Sequence, residues 1–175
     1  MAVVAGTINW LPAQLIPKVR KRRLSQDELG AWRALVRAYS AVTRALDREA
    51  EATGGLPLSS YWVLLVLAES PARGIRLCTL ADEAFLSRSG LTRALDRLEE
   101  QGLVERRASE NDRRGQYATL TPRGRRALVR STPAHLRGLA THFADELTDR
   151  EAAVIRAALD RIGDKAQRPG ESAPV

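Results

Sequence analysis

The chain has 175 residues, of which 44% are apolar and 28% are charged, proportions that are ordinary for a folded globular protein. Its net charge of +7 favours a polyanionic partner, nucleic acid first, but only 5% of the residues are aromatic, which argues against a single-strand binder that stacks bases on aromatic side chains. The one cysteine, Cys78, excludes an internal disulfide framework and a multi-cysteine zinc site.

Residues 1–24 are expected to form a basic arm, because they contain two prolines and end in a cluster of lysines and arginines. The arm is mildly apolar first and basic afterwards, which is the reverse of a secretory signal. No apolar run approaches the roughly 18 residues that a membrane-spanning helix needs. We therefore expect a cytoplasmic protein without a membrane partner.

Two helices are predicted next. Ser25 and Glu28 have the spacing of a capping box, and apolar residues then recur at helical spacing up to about Thr53, before Gly54 and Gly55. This helix is long for one small core, so part of its apolar stripe is expected to face a second chain. Ser59 is predicted to cap the following apolar helix, "YWVLLVLAE", which ends before a proline.

The middle of the chain reads as a short strand, "IRL", then a short helix, "TLADEAF", and then "LSRSGLTRALDRLEEQGLVERR". In this last stretch Ser87 is predicted to be a helix N-cap, and Gly102 to follow the helix C-terminus. The segments "LVERRA" and "QYATLT" are predicted to be strands, joined by the polar loop "SENDRRG". Two strands of this length cannot form an independent sheet, so they are expected to pack against a helical core.

Two more helices complete the chain. Thr121 is predicted to cap a helix that has Pro122 at its first position, and Pro133 predicts a kink or a restart in it. Thr148 and Glu151 form a second capping box, and residues 166–175 are disordered by composition. The fold class is therefore mainly α: a winged helix-turn-helix core with a two-stranded wing, flanked by N- and C-terminal helices.

The turn "FLSR" joins two helices as in a DNA-binding helix-turn-helix. On the second helix Leu91, Leu95 and Leu98 are spaced to face inward. The outward face carries side chains that hydrogen-bond bases and phosphates. The candidates for base contacts lie near the helix start and are Arg88, Ser89, Thr92 and Arg93. The candidate for a phosphate contact lies one turn later and is Arg97. Asp96 is expected to orient an arginine.

Positive charge is concentrated in the same part of the chain. Residues 73–130 contain 13 arginines, no lysine and 8 acidic residues, which gives a net charge of +5 out of +7 for the whole chain. Arg113 and Arg114 lie near the tip of the predicted hairpin, where an arginine can enter a narrow minor groove. The pattern indicates a protein that binds double-stranded DNA.

The segment "LADEAFLSRSGLTRALDRLEEQGLVERRASENDRRGQYATLTPRG" resembles the DNA-binding core of the MarR family of bacterial regulators. The resemblance implies one domain over residues 25–165, with a DNA-binding lobe at about 58–121 and dimerisation helices at about 26–53 and 122–164. It also implies a homodimer, a pseudo-palindromic operator, base contacts from the four residues at the helix start, and a wing arginine, Arg114, held by Asp112. The role of Arg113 stays open.

Many members of this family release their operator when a small phenolic or anionic molecule binds between the dimerisation helices and the DNA-binding lobe. Here the resemblance implies a pocket lined by aromatic and apolar side chains: Trp32, Tyr39, Tyr61, Trp62 and Leu65. For each of these residues the alternative is simple core or dimer packing. The implied function is a transcription regulator, most simply a repressor, with no cofactor.

Four alternatives are weighed against this interpretation. A redox-responsive regulator would use Cys78, and a metal-responsive one would use His135 and His142 with the nearby carboxylates Asp145 and Glu146; we expect neither. An enzyme is not expected, because the sequence has no Ser-His-Asp grouping and no glycine-rich phosphate loop. A winged-helix module that binds protein instead of DNA would lack the arginines described above.

Overall fold

The computed structural model describes residues 24–108 and 116–167. Compact packing divides the chain into two units, residues 1–37 and 38–175. The described elements are mostly helical and follow the predicted order: α1 (Gln26–Thr53), α2 (Leu58–Glu69), β1 (Ile75–Arg76), α3 (Leu77–Glu83), α4 (Arg88–Glu100), β2 (Val104–Ala108), β3 (Gln116–Leu120), α5 (Pro122–His142), a 3-10 helix (Ala144–Glu146) and α6 (Asp149–Gln167).

In the first unit the described residues form the start of α1. The predicted capping box is confirmed, since the Ser25 N–H donates to Glu28 Oε2 at 2.8 Å and the Glu28 N–H donates to Ser25 Oγ at 3.1 Å. The predicted basic arm lies, up to residue 23, outside the described residues. Trp32 is 63% exposed and Val36 47% exposed, so this part of α1 presents apolar side chains to solvent.

In the second unit α2 supplies much of the core. It is apolar on nearly every side, as expected of a helix that is covered by several elements, and Val63 and Leu64 are completely buried. The prediction that Ser59 caps α2 is wrong. The helix has Pro57 at its N-cap without a side-chain hydrogen bond, and the Leu58 N–H donates instead to Asp47 Oδ1 of α1 at 2.8 Å.

The helix-turn-helix consists of α3 and α4. Phe85, in the turn between them, has a left-handed backbone with φ of 56°. Ser87 caps α4 as predicted, because its Oγ accepts the Gly90 N–H at 3.1 Å. Gly102 ends α4 with φ of 66°, and the Leu103 N–H then donates to the Leu98 carbonyl at 2.8 Å, a common glycine-dependent helix ending.

The described strands form one antiparallel sheet in the order β1-β3-β2. The strands β2 and β3 pair from Val104 opposite Leu120 to Ala108 opposite Gln116. The sequence predicted these two strands as a two-stranded wing, and β1 adds a third through Ile75 opposite Ala118. The loop that joins β2 and β3 lies outside the described residues.

The helix α5 begins as predicted, with Pro122 at its first position and Thr121 Oγ1 accepting the Gly124 N–H at 2.9 Å. The predicted restart at Pro133 is wrong, because α5 runs through it as one helix. Pro133 has no backbone N–H, so the carbonyl of Val129, four residues earlier, lacks its usual helical partner. Val129 is 67% exposed.

The helix α6 begins at the predicted second capping box, where the Thr148 N–H donates to Glu151 Oε2 at 2.9 Å. It runs to Gln167, so the first two residues of the predicted disordered tail are helical. Residues 168–175 lie outside the described residues. No described helix is both long enough and apolar enough to cross a membrane.

Candidate nucleic-acid interface

The outward face of α4 is the candidate surface for DNA. Leu91, Leu95 and Leu98 are buried against the core, as their spacing predicted, and they fix the rotation of the helix about its axis. The five predicted DNA-contacting side chains of α4 are consequently all exposed: Arg88, Ser89, Thr92, Arg93 and Arg97. The structure thus brings these five residues together on one surface.

The arginines of this face are largely free to bind a ligand. Among the described residues Arg88 and Arg93 have no ion-pair partner, and Arg97 makes only a long hydrogen bond of 3.5 Å to Ser59 Oγ. Thr92 Oγ1 donates to the Arg88 carbonyl at 3.0 Å, which leaves its acceptor lone pairs for a base or phosphate. The start of α4 also offers the positive end of the helix dipole to an anion.

A second group of side chains joins α4 to the sheet. Arg106 of β2 donates from Nη1 to Asp96 Oδ1 at 2.8 Å, from Nε to Glu99 Oε2 at 2.8 Å, and from Nη2 to Glu99 Oε2. The hydrogen bond from Arg106 holds the pKa of the Glu99 carboxyl below its ordinary value. Asp96 therefore orients an arginine, as expected, but sequence reasoning did not identify Arg106 as the partner.

The predicted wing residues Asp112, Arg113 and Arg114 lie outside the described residues. Of the two strands that lead to them, β2 carries Arg106 and Arg107. Elsewhere in the sheet Arg76 of β1 lies over the Tyr117 ring of β3, with its guanidinium carbon 5.7 Å from the ring centroid. The Arg76 Nε donates to the Tyr117 hydroxyl at 3.1 Å. This contact fastens the short strand β1 to the centre of the sheet.

The predicted pocket residues of the second unit differ in exposure and contacts, and Tyr61 and Trp62 meet edge to face with 6.3 Å between ring centroids. In the second unit Tyr39 is 66% exposed, and Trp62 makes an edge contact with Phe85, with 5.5 Å between ring centroids. Only Tyr61 lines the main described cleft. Trp32 belongs to the first unit, and Leu65 is half-buried on α2.

That cleft lies between the C-terminal half of α1, the start of α2 and α5, and has a volume of about 420 Å³. The Tyr61 and His135 rings stack in its wall with centroids 4.0 Å apart, and burial lowers the pKa of His135. Glu49, also in the wall, accepts a hydrogen bond from His142 Nε2 at 2.6 Å. Side chains of α1 pack tightly against α5 here: a Cβ on Gly138 would lie 2.7 Å from Leu46 Cδ2.

The residues considered for metal and redox sensing are placed as follows. His135 is stacked on Tyr61 and His142 bonds to Glu49, and the described part of the chain brings no three potential metal ligands together. Cys78 is exposed in α3 as a free thiol, and its nearest hydrogen-bonding partner is Thr79 Oγ1 at 4.0 Å.

Comparison with known proteins gives a consistent result. The MarR family pattern matches residues 54–115. A MarR family regulator from Streptomyces coelicolor, Sco3205, crystallised in complex with DNA, is 33% identical with a TM-score of 0.75, over 89% of this chain and 97% of that one. The transcriptional repressor Rv2887 of Mycobacterium tuberculosis is 32% identical over 62% of this chain and 76% of its own length.

A further solved structure, CouR from Rhodococcus jostii bound to p-coumaroyl-CoA, is 28% identical with a TM-score of 0.63, over 83% of this chain and 99% of that one. Sco3205 and Rv2887 are both named as transcription regulators. Together with the exposed arginine face of α4, the second helix of the helix-turn-helix, the comparisons show that the chain is a transcription regulator of the MarR family.

Proposed function

We propose that the protein is a homodimeric repressor that binds a pseudo-palindromic operator through α4. The observation that carries the proposal is the exposed arginine face at the start of α4, whose arginines Arg88 and Arg93 have no other ion-pair partner among the described residues. Arginine reads guanine with a two-pronged hydrogen bond, and serine and threonine bond several bases. We assign base contacts to Arg88, Ser89, Thr92 and Arg93, and a phosphate contact to Arg97.

The wing arginines complete the proposed interface. Arg114, oriented by Asp112, enters the minor groove beside the half-site, and Arg113 contacts the backbone. The support is the direction of β2 and β3, whose paired ends lead into the loop that carries these residues, together with the attraction of narrow A·T-rich minor grooves for arginine.

The dimer is supported by apolar surface that the second unit leaves uncovered. On α5, on α6 and at the residue that follows α5, large apolar side chains are between 36% and 67% exposed, which is unusual for a monomer when so many are grouped: Val129, Leu136, Leu139, Phe143, Val154, Leu159 and Ile162. A second copy that covered them would place two recognition helices about one DNA turn apart. Sedimentation of the full chain should give a dimer.

The effector is proposed to be a small aromatic anion that occupies the cleft of about 420 Å³, a volume in the range of small-molecule sites. The stacked Tyr61–His135 wall suits an aromatic ring, and Arg137, which also lines the cleft, suits a carboxylate. CouR, bound to p-coumaroyl-CoA, supports an aromatic ligand. Hydroxybenzoates should release operator DNA from the wild type and fail to do so from Arg137→Gln.

The first test is selection of sites from a random double-stranded library, followed by footprinting on the selected sequence and on the DNA upstream of the gene. We expect a protected pseudo-palindrome with half-sites about one helical turn apart and a steep loss of affinity with added salt. Arg93→Ala should cost about 1–3 kcal/mol and relax base preference at one half-site position. Arg150→Ala, an exposed arginine of α6, is the matched control and should change neither. Failure to select any sequence would contradict the proposal and favour a protein-binding winged helix.

A further inference from the structure

Arg106 ties the recognition helix to the edge of the sheet. Its guanidinium bonds both Asp96 and Glu99 of α4, with Nη1 to Asp96 Oδ1 at 2.8 Å and Nε to Glu99 Oε2 at 2.8 Å. The Arg106 backbone N–H also donates to Glu99 Oε1 at 3.3 Å. Glu99 therefore holds both the side chain and the main chain of one β2 residue. We call these three residues the Arg106 clamp.

The clamp acts where β2 has no second neighbour. In the described sheet β2 pairs only with β3, so its outer edge would otherwise present an unpaired N–H to solvent. The Glu99 carboxylate covers this edge, and the hydrogen bond from Arg106 lowers its pKa below the ordinary value. The clamp side chains are 28% to 47% exposed, which places them at the protein surface beside the proposed DNA interface.

The two carboxylates lie on the face of α4 that points to DNA. Asp96 follows Thr92 by four residues and Glu99 follows it by seven, so all three share one side of the helix. Without a partner, two carboxylates on this side would repel phosphates. Arg106 offsets one of the two negative charges, and three of its five N–H donors are engaged by the two carboxylates.

We propose that Arg106 is a positioning residue for operator recognition: it fixes the angle between α4 and the β2–β3 strands, so that the recognition helix and the wing engage the same half-site. This inference rests on the proposed function. It predicts that specific binding depends on the clamp although no clamp side chain contacts a base.

Glu99→Gln separates this role from a simple effect of charge. It removes a negative charge from the DNA-binding lobe, so electrostatics alone would tighten binding to every DNA sequence. Loss of the clamp predicts the opposite for the operator, because a misdirected β2–β3 pair no longer fits together with α4. We expect operator affinity to fall about five- to twentyfold, in the range of coupling between contacting residues, while affinity for random DNA stays the same or rises.

The matched control is the neighbouring pair on the same strand. Arg107 Nη2 contacts Glu105 Oε2 at 2.9 Å, both side chains are more than half exposed, and the pair joins no two elements. Glu105→Gln changes the charge as Glu99→Gln does, and should leave the ratio of operator to random-DNA affinity within about twofold of the wild type, because exposed pairs contribute little.

Three further variants complete the experiment. Arg106→Lys keeps the charge but loses the forked geometry, so it should lose operator specificity nearly as fully as Arg106→Gln. The double variant Arg106→Gln/Glu99→Gln should be no weaker for the operator than Arg106→Gln alone, since both remove one interaction. Binding to random DNA reports folding, because an unfolded variant loses both affinities.

The outcomes are distinct. Tighter operator binding by Glu99→Gln, or an equal loss of specificity in Glu105→Gln, would overturn the role of the clamp and leave the proposed function standing. A wild-type protein that selects no DNA sequence would contradict the proposed function, and this inference with it.

Discussion

Gly124, in the first turn of α5, is the position where one added methyl group should be least tolerated. A Cβ there would lie 2.1 Å from the Leu103 carbonyl oxygen and 2.7 Å from Leu120 Cδ1. The same carbonyl accepts hydrogen bonds of 3.1 Å from the Thr121 N–H and from Thr121 Oγ1. The clash therefore falls on the backbone junction between the end of α4, β2 and the start of α5.

Two opposing terms set the expected effect of Gly124→Ala. Alanine in a helix is favoured over glycine by about 0.5–1 kcal/mol. Ordinary contact for a Cβ begins at 3.4 Å, so the backbone would have to move by about 1 Å, and overpacking of this kind costs about 1–3 kcal/mol or more. Weakening either hydrogen bond to Leu103 adds about 1 kcal/mol. We expect a net loss of about 1–3 kcal/mol in the free energy of unfolding.

The assay is urea unfolding at one fixed protomer concentration, because dimerisation would otherwise change the apparent stability. Gly163→Ala in α6 is the matched control. Its Cβ would meet nothing within 4 Å among the described residues, so it should be neutral or stabilise by up to about 1 kcal/mol. If Gly124→Ala were as stable as the wild type, the close approach of α5 to the Leu103 carbonyl would be refuted.

Three other substitutions test separate parts of the structure. Leu95→Ala empties a fully buried site and should lower the free energy of unfolding by about 2–5 kcal/mol, measured by the same urea titration. Ser87→Ala removes the N-cap of α4 and should lower the free energy of unfolding by about 1 kcal/mol. Amide exchange at the C-terminus of α4 should stay as in the wild type, and unchanged stability would contradict the cap. Burial lowers the pKa of His135 below 6.5 in the folded protein. As the pH falls below about 6.5, the unfolded chain therefore binds more protons than the folded one, and the free energy of unfolding decreases. His135→Gln should flatten this slope in thermal unfolding between pH 5 and 7, and an unchanged slope would exclude His135 as its source.

The helix boundaries could be predicted where the two partners of a capping interaction lie within three residues of each other in the sequence. This holds for Ser25 with Glu28, for Ser87 with Gly90, and for Thr148 with Glu151. It fails at Ser59, because the group that caps α2 is Asp47, which lies 11 residues before Leu58 and on another helix. A cap supplied by a different element leaves no local pattern in the sequence.

The exposed face of α4, the candidate DNA surface, could be predicted for a similar reason. The spacing of Leu91, Leu95 and Leu98 fixes which side of α4 is buried, and the opposite side follows from helical geometry alone. The partner of Asp96 could not be predicted, since Arg106 reaches it only after the turn at Gly102 has brought β2 back along the helix.

The pocket was the least predictable part. The implied effector pocket stays a prediction, and its residues were chosen because they are aromatic or apolar. The described cleft was not predicted, since it is formed mainly by small and polar side chains of α1, α2 and α5. Its tight packing near Gly138 leaves a Cβ there only 2.7 Å from the Leu46 and Glu49 side chains. A missing side chain has no distinctive signature in one sequence, because glycine also serves in turns and at helix ends.

The strand order β1-β3-β2 has a consequence for synthesis on the ribosome. In the described sheet both β1 and β2 pair only with β3, which is the last of the three to be made. The nascent chain therefore holds two unpaired strands until residue 120 has left the exit tunnel, and Ile75 must wait for Ala118, 43 positions later in the chain. Non-local pairing of this kind slows folding. Ribosome pausing while β3 is still inside the exit tunnel should prolong the exposure of the unpaired β1 edge to chaperones and proteases, whereas pausing after β3 has emerged should not.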